Sequence, residues 1–276
     1  MLEVLREAVR IVESGQKAAL ATIISTTGST PGKDGAKMLV RADGSTVGTV
    51  GGGCTESDIW RISMEVIADG LARRETFRLT AATVADTGLL CGGEFEVYIE
   101  PVGTPSVIIL GGGHIASSMV DVLATLSWRV TVIDDRADFA NPARFPLASE
   151  VHCKPFESCL EGIKVTANSC VVVVTRGHEH DELALSRALE TDAGYIGLIG
   201  SRGKIGAILK NLKKTGINPE KLEKVRAPVG IPIGSRTPEE IAISIAAELI
   251  SLHRGTGPAG PTHANSSEDF VANSVD

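Results

Sequence analysis

The residues best suited to chemistry in this chain are thiols flanked by glycine. Gly51-Gly52-Gly53-Cys54 runs into Thr55-Glu56-Ser57-Asp58-Ile59-Trp60, and Leu90-Cys91-Gly92-Gly93-Glu94 joins a second thiol to glycines. Without a Cβ, backbone turns sharply and comes close to a ligand. Ile59, Ile62, Val66 and Ile67 recur at helical spacing, so Cys54 falls where a helix begins, with Glu56 and Asp58 in an acidic first turn. Backbone N–H groups at such an end attract anions and lower a thiol's pKa, whereas the two acids act in the opposite direction. A small buried cysteine closing a tight turn is the plain alternative, because free cysteine is among the most buried residue types. Two Gly-flanked cysteines at element boundaries favour a site, and spacing alone leaves open whether they meet.

A second candidate lies further along. Val107-Ile108-Ile109-Leu110 runs into Gly111-Gly112-Gly113-His114-Ile115-Ala116, a G-x-G-x-x-A pattern between a predicted strand and an amphipathic helix. Gly111 and Gly113 permit the turn and the approach of phosphate, Ala116 permits helix–sheet packing, and the helix start holds pyrophosphate. Asp134 ends the next strand, about where an acid meets a ribose 2′-hydroxyl. His114 is either a ligand contact or a partner of local backbone. The loops Thr175–Asp181 and Gly200–Lys204 should line the same crevice. Ser201 and Arg202 are taken as binding residues there. Arg176, Arg202 and Lys204 are candidates for phosphate, with ordinary solvated charge as the alternative. His178, His180 and Asp181 show no third spaced ligand for a metal, so a polar helix start with Asp181 near the N-cap is the better reading.

Composition narrows the function classes. The 276 residues suit two domains, and 43% hydrophobic with 22% charged residues is the make-up of a soluble globular chain. A net charge of −7 without a basic run argues against nucleic acid. No apolar run reaches the length of a membrane span, and the acid-bearing N-terminus lacks a signal-peptide core. Five cysteines without a C-x-x-C pair fit a reducing cytoplasm and no structural zinc site.

These sites need elements to position them. Residues 1–100 read as a small α+β domain: a helix with Leu5, Val9 and Val12 on one face, strands at Lys17–Ser25, Ala36–Val40, Thr46–Val50, Glu75–Leu79 and Phe95–Glu100, and the helix after Cys54. Residues 101–105 read as a linker. From 106 to 254 strands and helices alternate, which predicts an α/β, Rossmann-like, doubly wound parallel sheet. Its strands are expected at Ser106–Leu110, Arg129–Ile133, Glu150–Cys153, Cys170–Thr175 and Tyr195–Ile199. Thr237-Pro238-Glu239-Glu240 starts the last helix with a capping-box pattern. Residues 255–276 lack periodicity and read as a disordered tail.

Taken together, these segments resemble the xanthine dehydrogenase accessory proteins, the molybdenum cofactor insertion chaperones that also serve carbon monoxide dehydrogenase and related molybdenum hydroxylases. The matching pieces are Gly28-Ser29-Thr30-Pro31-Gly32 with Gly35-Ala36-Lys37-Met38, Gly51–Cys54, Cys91-Gly92-Gly93 running to Glu100-Pro101, Gly111–Ala116, Tyr195–Ser201 and Ile233–Ala242. They span about residue 15 to residue 253. The family often has Gly-Ala-Gly-His where this chain has Gly111-Gly112-Gly113-His114, a departure that keeps the needed glycines. The resemblance implies a glycine-rich domain joined to a Rossmann-like one, in a homodimer, with no catalytic residues of its own. It implies that a molybdenum cofactor, molybdopterin or its cytidine dinucleotide form, is bound, protected during sulfuration and delivered to an apo molybdenum hydroxylase. A cysteine desulfurase is the further partner it implies. A contact with cofactor or sulfur is carried onto Cys54, whose thiolate suits soft partners. An NAD(P)-dependent oxidoreductase is the alternative, although all six histidines lie at or beyond His114 and the first domain shows no placed proton donor. A redox sensor using Cys54 and Cys91 is a third reading.

Overall fold

The computed structural model describes residues 1–79 and 93–255. The chain divides into two compact units, Met1–Thr104 and the part from Pro105 onward.

The first unit is built on an antiparallel sheet of β1 (Ala18–Thr27), β2 (Lys37–Arg41), β3 (Thr46–Gly48), β4 (Arg73–Arg78) and β5 (Glu94–Val102), in the order β3-β2-β1-β5-β4. Phe95, Val97 and Ile99 alternate inward along β5 and pack with Ala19, Ala21 and Met38 under Ile59, Ile62 and Val66 of α2 (Cys54–Asp69). That is the face the helical spacing predicts. Strand β5 runs through Pro101 and Val102, which the sequence places in a linker, and both pair with β1. Proline is tolerated because β4 pairs no further along β5 than Ile99, leaving Pro101 no lost bond on that side.

Helix α1 (Leu2–Glu13) corrects an expectation. Val4, Glu7 and Ile11 are its buried residues, while Leu5, Val9 and Val12 are 43%, 56% and 40% exposed. The apolar residues spread over one broad half of the helix, and burial falls at one edge of that arc, which periodicity does not single out. The buried side is chosen by non-local partners: Ala18 and Leu39 receive Val4 and Ile11, and Arg41 of β2 donates to Glu7 at 2.8 Å.

The second unit is a parallel sheet of β6 (Ser106–Leu110), β7 (Arg129–Asp134), β8 (Glu150–Cys153), β9 (Ser169–Val173), β10 (Tyr195–Leu198) and β11 (Val225–Arg226), ordered β11-β10-β9-β6-β7-β8. Strand β9 is buried throughout, as a parallel strand covered on both faces must be. One face packs on α4 (His178–Leu189) and α5 (Arg202–Lys214), the other on α3 (His114–Thr125) and α7 (Pro238–His253). A short α6 (Pro219–Glu223) precedes β11, a two-residue strand too brief to leave a periodic signal. The capping box at Thr237 and Glu240 forms as read from the sequence. No described helix is long and apolar enough to cross a membrane. The expected tail lies outside the described residues apart from Gly255.

Candidate functional site

In the first unit, Gly51, Gly52 and Gly53 take φ of 124°, 79° and 75°, so three successive residues adopt backbone that L side chains rarely enter. A Cβ on Gly51 would also come within 2.7 Å of Gly32 N and of the Pro31 carbonyl carbon. The Gly28–Gly32 and Gly51–Cys54 segments, far apart in sequence, therefore meet backbone to backbone. Gly93 packs in the same way onto the carbonyls of Thr27 and Ser29. Cys54 opens α2, whose N-cap Gly53 supplies no side-chain cap. Cys91 and Gly92 lie outside the described residues.

An open groove of about 290 Å³ adjoins this turn, lined by Met38, Thr46, Gly53, Glu56, Ser57 and Trp60. Gly53, Glu56, Ser57 and Trp60 follow one another at helical spacing, so one side of α2 forms a wall. The β2–β3 hairpin forms the other. The indole is fixed by a 2.8 Å hydrogen bond from Trp60 Nε1 to the Gly44 carbonyl. Sequence reasoning missed this groove. Glu56 reads only as a helix-start acid, and nothing local announces that the Asp43-Gly44 turn meets Trp60.

In the second unit, the Gly111–Ala116 loop joins β6 to α3, with Gly113 as an N-cap that provides no side-chain cap and His114 as the first helical residue. Gly111, at φ 118°, lies against the carbonyl of Val174, where a Cβ would overlap it. Around Gly113 a Cβ meets nothing within 4 Å. The loop is closed at its first glycine and open at its third. Asp134 ends β7, as the spacing suggests, and is buried there rather than open to a ribose. Its Oδ2 accepts from Gly112 N at 2.8 Å and from Arg136 Nη2 at 3.0 Å, and its Oδ1 accepts from Arg136 Nε at 2.9 Å. Arg136 also lies 3.6 Å over the Phe139 ring, and Arg144 Nε donates to the Gly112 carbonyl at 3.2 Å. These arginines carry no strand or helix signal and were not foreseen.

The two neighbouring loops join the same end of the sheet. Thr175 touches Gly111 and donates through Oγ1 to Asp181 at 2.5 Å. Asp181 pairs with Lys204 Nζ at 2.5 Å, so a line of contacts runs from the glycine loop to the loop after β10. Burial pushes the Asp181 carboxyl up from its ordinary pKa, with Lys204 and Thr175 opposing. Asp181 stands in the first turns of α4, where Gly177 is the N-cap, so its role is to tie loops rather than to cap. Ser201 caps α5, accepting from Lys204 N, and Arg202 is the first helical residue. Arg176 donates to Asp135 through its two terminal guanidinium nitrogens, Nη1 and Nη2, and holds that carboxyl at a pKa of about 2. The cations read as phosphate candidates thus include two, Arg176 and Lys204, already joined to carboxylates. His180 packs its ring against Phe156, and among the described residues no group of His, Cys, Asp or Glu is arranged to hold a metal.

Comparison with known proteins agrees with these elements. The XdhC Rossmann domain matches residues 107–249, and the XdhC and CoxI family matches residues 11–78. The uncharacterized protein YqeB of Escherichia coli is 31% identical over 95% of this chain, which spans about half, 49%, of that protein. The molybdenum cofactor insertion chaperone PaoD of Escherichia coli is 23% identical over 90% of this chain and 87% of its own length. A probable xanthine dehydrogenase subunit from Bacillus subtilis is 23% identical over 88% of this chain and 96% of its own length. A crystal structure of a xanthine dehydrogenase from Bacillus halodurans shares the fold, with a TM-score of 0.51, 22% identity, and 97% and 98% coverage. With both of its units matched in order and its α/β architecture shared, the chain belongs to the XdhC family.

Proposed function

We propose that this protein is a maturation chaperone that binds a molybdopterin-type cofactor, shelters it during sulfuration and inserts it into a xanthine dehydrogenase- or carbon monoxide dehydrogenase-type hydroxylase. The observation that carries the reading is the turn at Gly51–Cys54. It brings a thiol-bearing helix start, lacking a side-chain cap, against the Pro31–Gly32 backbone and beside a groove of about 290 Å³. Such a turn suits the group: backbone N–H donors for a phosphate, a soft sulfur donor near molybdenum, and a recess for a flat ring. Bound here, the cofactor supplies redox chemistry only to the enzyme that receives it. The chain itself binds, orients and excludes water. Its working partners are the apo-hydroxylase and a cysteine desulfurase, and it works in the cytoplasm as a homodimer. Gly111, Gly113, His114, Ser201 and Arg202 are assigned to a second anion-binding locus, for the cofactor's phosphate or cytidine nucleotide, with Asp134 holding the glycine loop through Gly112 N. The NAD(P) oxidoreductase reading draws on that locus alone.

Cys54→Ser separates a functional thiol from a structural one. The change nearly conserves volume and replaces a soft donor by a hard one. The expected result is a stability within about 1 kcal/mol of wild type, typical of mild single substitutions, with loss of cofactor retention and of hydroxylase activation. If Cys54→Ser keeps its cofactor and activates the apo-hydroxylase at the wild-type rate, the role assigned to this thiol is wrong.

A further inference from the structure

The groove beside the Cys54 turn has a lining that selects a particular chemistry. Met38, wholly buried, contributes an apolar surface, and Trp60, 39% exposed, an aromatic one. The indole cannot swing freely, because Nε1 is bonded to Gly44 and a Cβ on Gly44 would already stand 3.2 Å from the ring. Glu56 and Ser57 are the polar side chains on the same wall of α2. Glu56 Oε2 accepts a long, 3.4 Å contact from Thr49 Oγ1, and among the described residues no lysine or arginine forms an ion pair with it. A carboxylate is an acceptor on both oxygens, and next to an immobile indole it suits a flat ring that presents two N–H donors side by side. A volume of about 290 Å³ is at the low end of small-molecule pockets, which begin near about 300 Å³, so the groove takes a bicyclic ring rather than a dinucleotide.

We propose that this groove binds the pterin ring of the cofactor, with Glu56 accepting from the 2-amino and N3–H groups and Trp60 holding the ring face. The inference rests on the chaperone reading and goes further by assigning side chains to the ring. Guanine offers the same donor edge, so the assignment to pterin over guanine follows from the chaperone reading, and guanosine monophosphate is the competing ligand in the test. Sequence alone does not suggest it: helical spacing puts Glu56 and Trp60 on one side of α2, but the groove exists only once the β2–β3 hairpin forms its other wall.

The test uses the full chain with Trp128→Phe, leaving Trp60 as the remaining tryptophan of the two. Three probes are titrated: pterin-6-carboxylate, lumazine-6-carboxylate, which carries oxygen in place of the 2-amino group, and guanosine monophosphate. Trp60 emission and the anisotropy of the pterin probe are read together. The expected result is saturable quenching by pterin-6-carboxylate, with lumazine-6-carboxylate weaker by about tenfold or more, the usual scale for bonds to a charged group, and guanosine monophosphate weaker than pterin-6-carboxylate. Glu56→Gln should weaken pterin by a similar factor and abolish the preference over lumazine while leaving the melting temperature unchanged. Equal binding of lumazine, or an unaltered preference in Glu56→Gln, overturns the role of Glu56. Equal or tighter binding of guanosine monophosphate reassigns the groove to a guanine nucleotide and overturns the pterin assignment. If the protein carries pterin through purification yet the probe neither binds nor quenches, the groove assignment fails and the chaperone reading stands. If neither pterin nor probe is found on the protein, both fail.

Discussion

Gly111→Ala is expected to lower the stability of the second unit by about 4 kcal/mol, and Gly113→Ala by almost nothing. Both glycines belong to one phosphate-loop pattern, so the sequence treats them alike. At Gly111 the backbone has φ 118° and a Cβ would overlap the Val174 carbonyl, a rigid group in the adjoining strand end. Backbone strain of about 1–3 kcal/mol adds to overpacking of about 1–3 kcal/mol. At Gly113, φ is −73° and the space is empty. A substitution there tests ligand approach without disturbing the fold. Urea unfolding of the two variants, with the slope unchanged, checks the contrast. Equal losses in both would contradict this division of the loop. With folding intact, Gly113→Val should weaken a phosphate-bearing ligand in calorimetry, and unchanged affinity would count against the locus.

Lys204→Met should cost about 3 kcal/mol, because it strands a buried carboxylate. Asp181 is fully buried, and its Nζ partner at 2.5 Å is the cation that compensates it. The pH dependence has a definite sign. Burial raises the folded pKa of Asp181 above its unfolded value, so the folded state holds the proton more tightly. Stability from this group is greatest below the unfolded carboxylate pKa and falls as pH rises through the folded one. Removing Lys204 raises the folded pKa further. The deficit of the variant is therefore largest at neutral pH and shrinks as pH falls toward about 4, near the reference carboxylate pKa. Thermal melts of both proteins across that range measure it. A deficit that grows on acidification would contradict the assignment.

What could be read from sequence followed from local pattern. Most of the parallel strands, β6, β7, β9 and β10, announce themselves as short apolar runs, whereas β11 does not, and Ile59, Ile62 and Val66 mark the buried face of α2 because that helix is apolar on one side. In α1 the same logic selects Leu5, Val9 and Val12, which stay exposed, because burial there is decided by Ala18 and Leu39 of the sheet and by Arg41 reaching Glu7 from β2. Pro101 and Val102 looked like the start of a linker because proline usually ends a strand, yet a partner on one side suffices. Of the candidate site residues, the places of the glycine turns and of Asp134 at element ends are legible from spacing. The Gly32–Gly51 approach, the Trp60–Gly44 bond and the Arg136–Asp134 pair with its Phe139 platform were not, since each depends on how loops pack.

The central claim is that the protein carries a pterin cofactor, and it is tested most directly on protein isolated from cells that synthesise molybdenum cofactor. The purified chain is oxidised, the pterin released is quantified by fluorescence, and nicotinamide absorbance is measured on the same sample. The expected result is pterin fluorescence that rises in proportion to protein and is lost in Cys54→Ser, with no nicotinamide absorbance. Bound nicotinamide nucleotide without pterin would contradict the chaperone reading and favour an oxidoreductase built on the Gly111 loop.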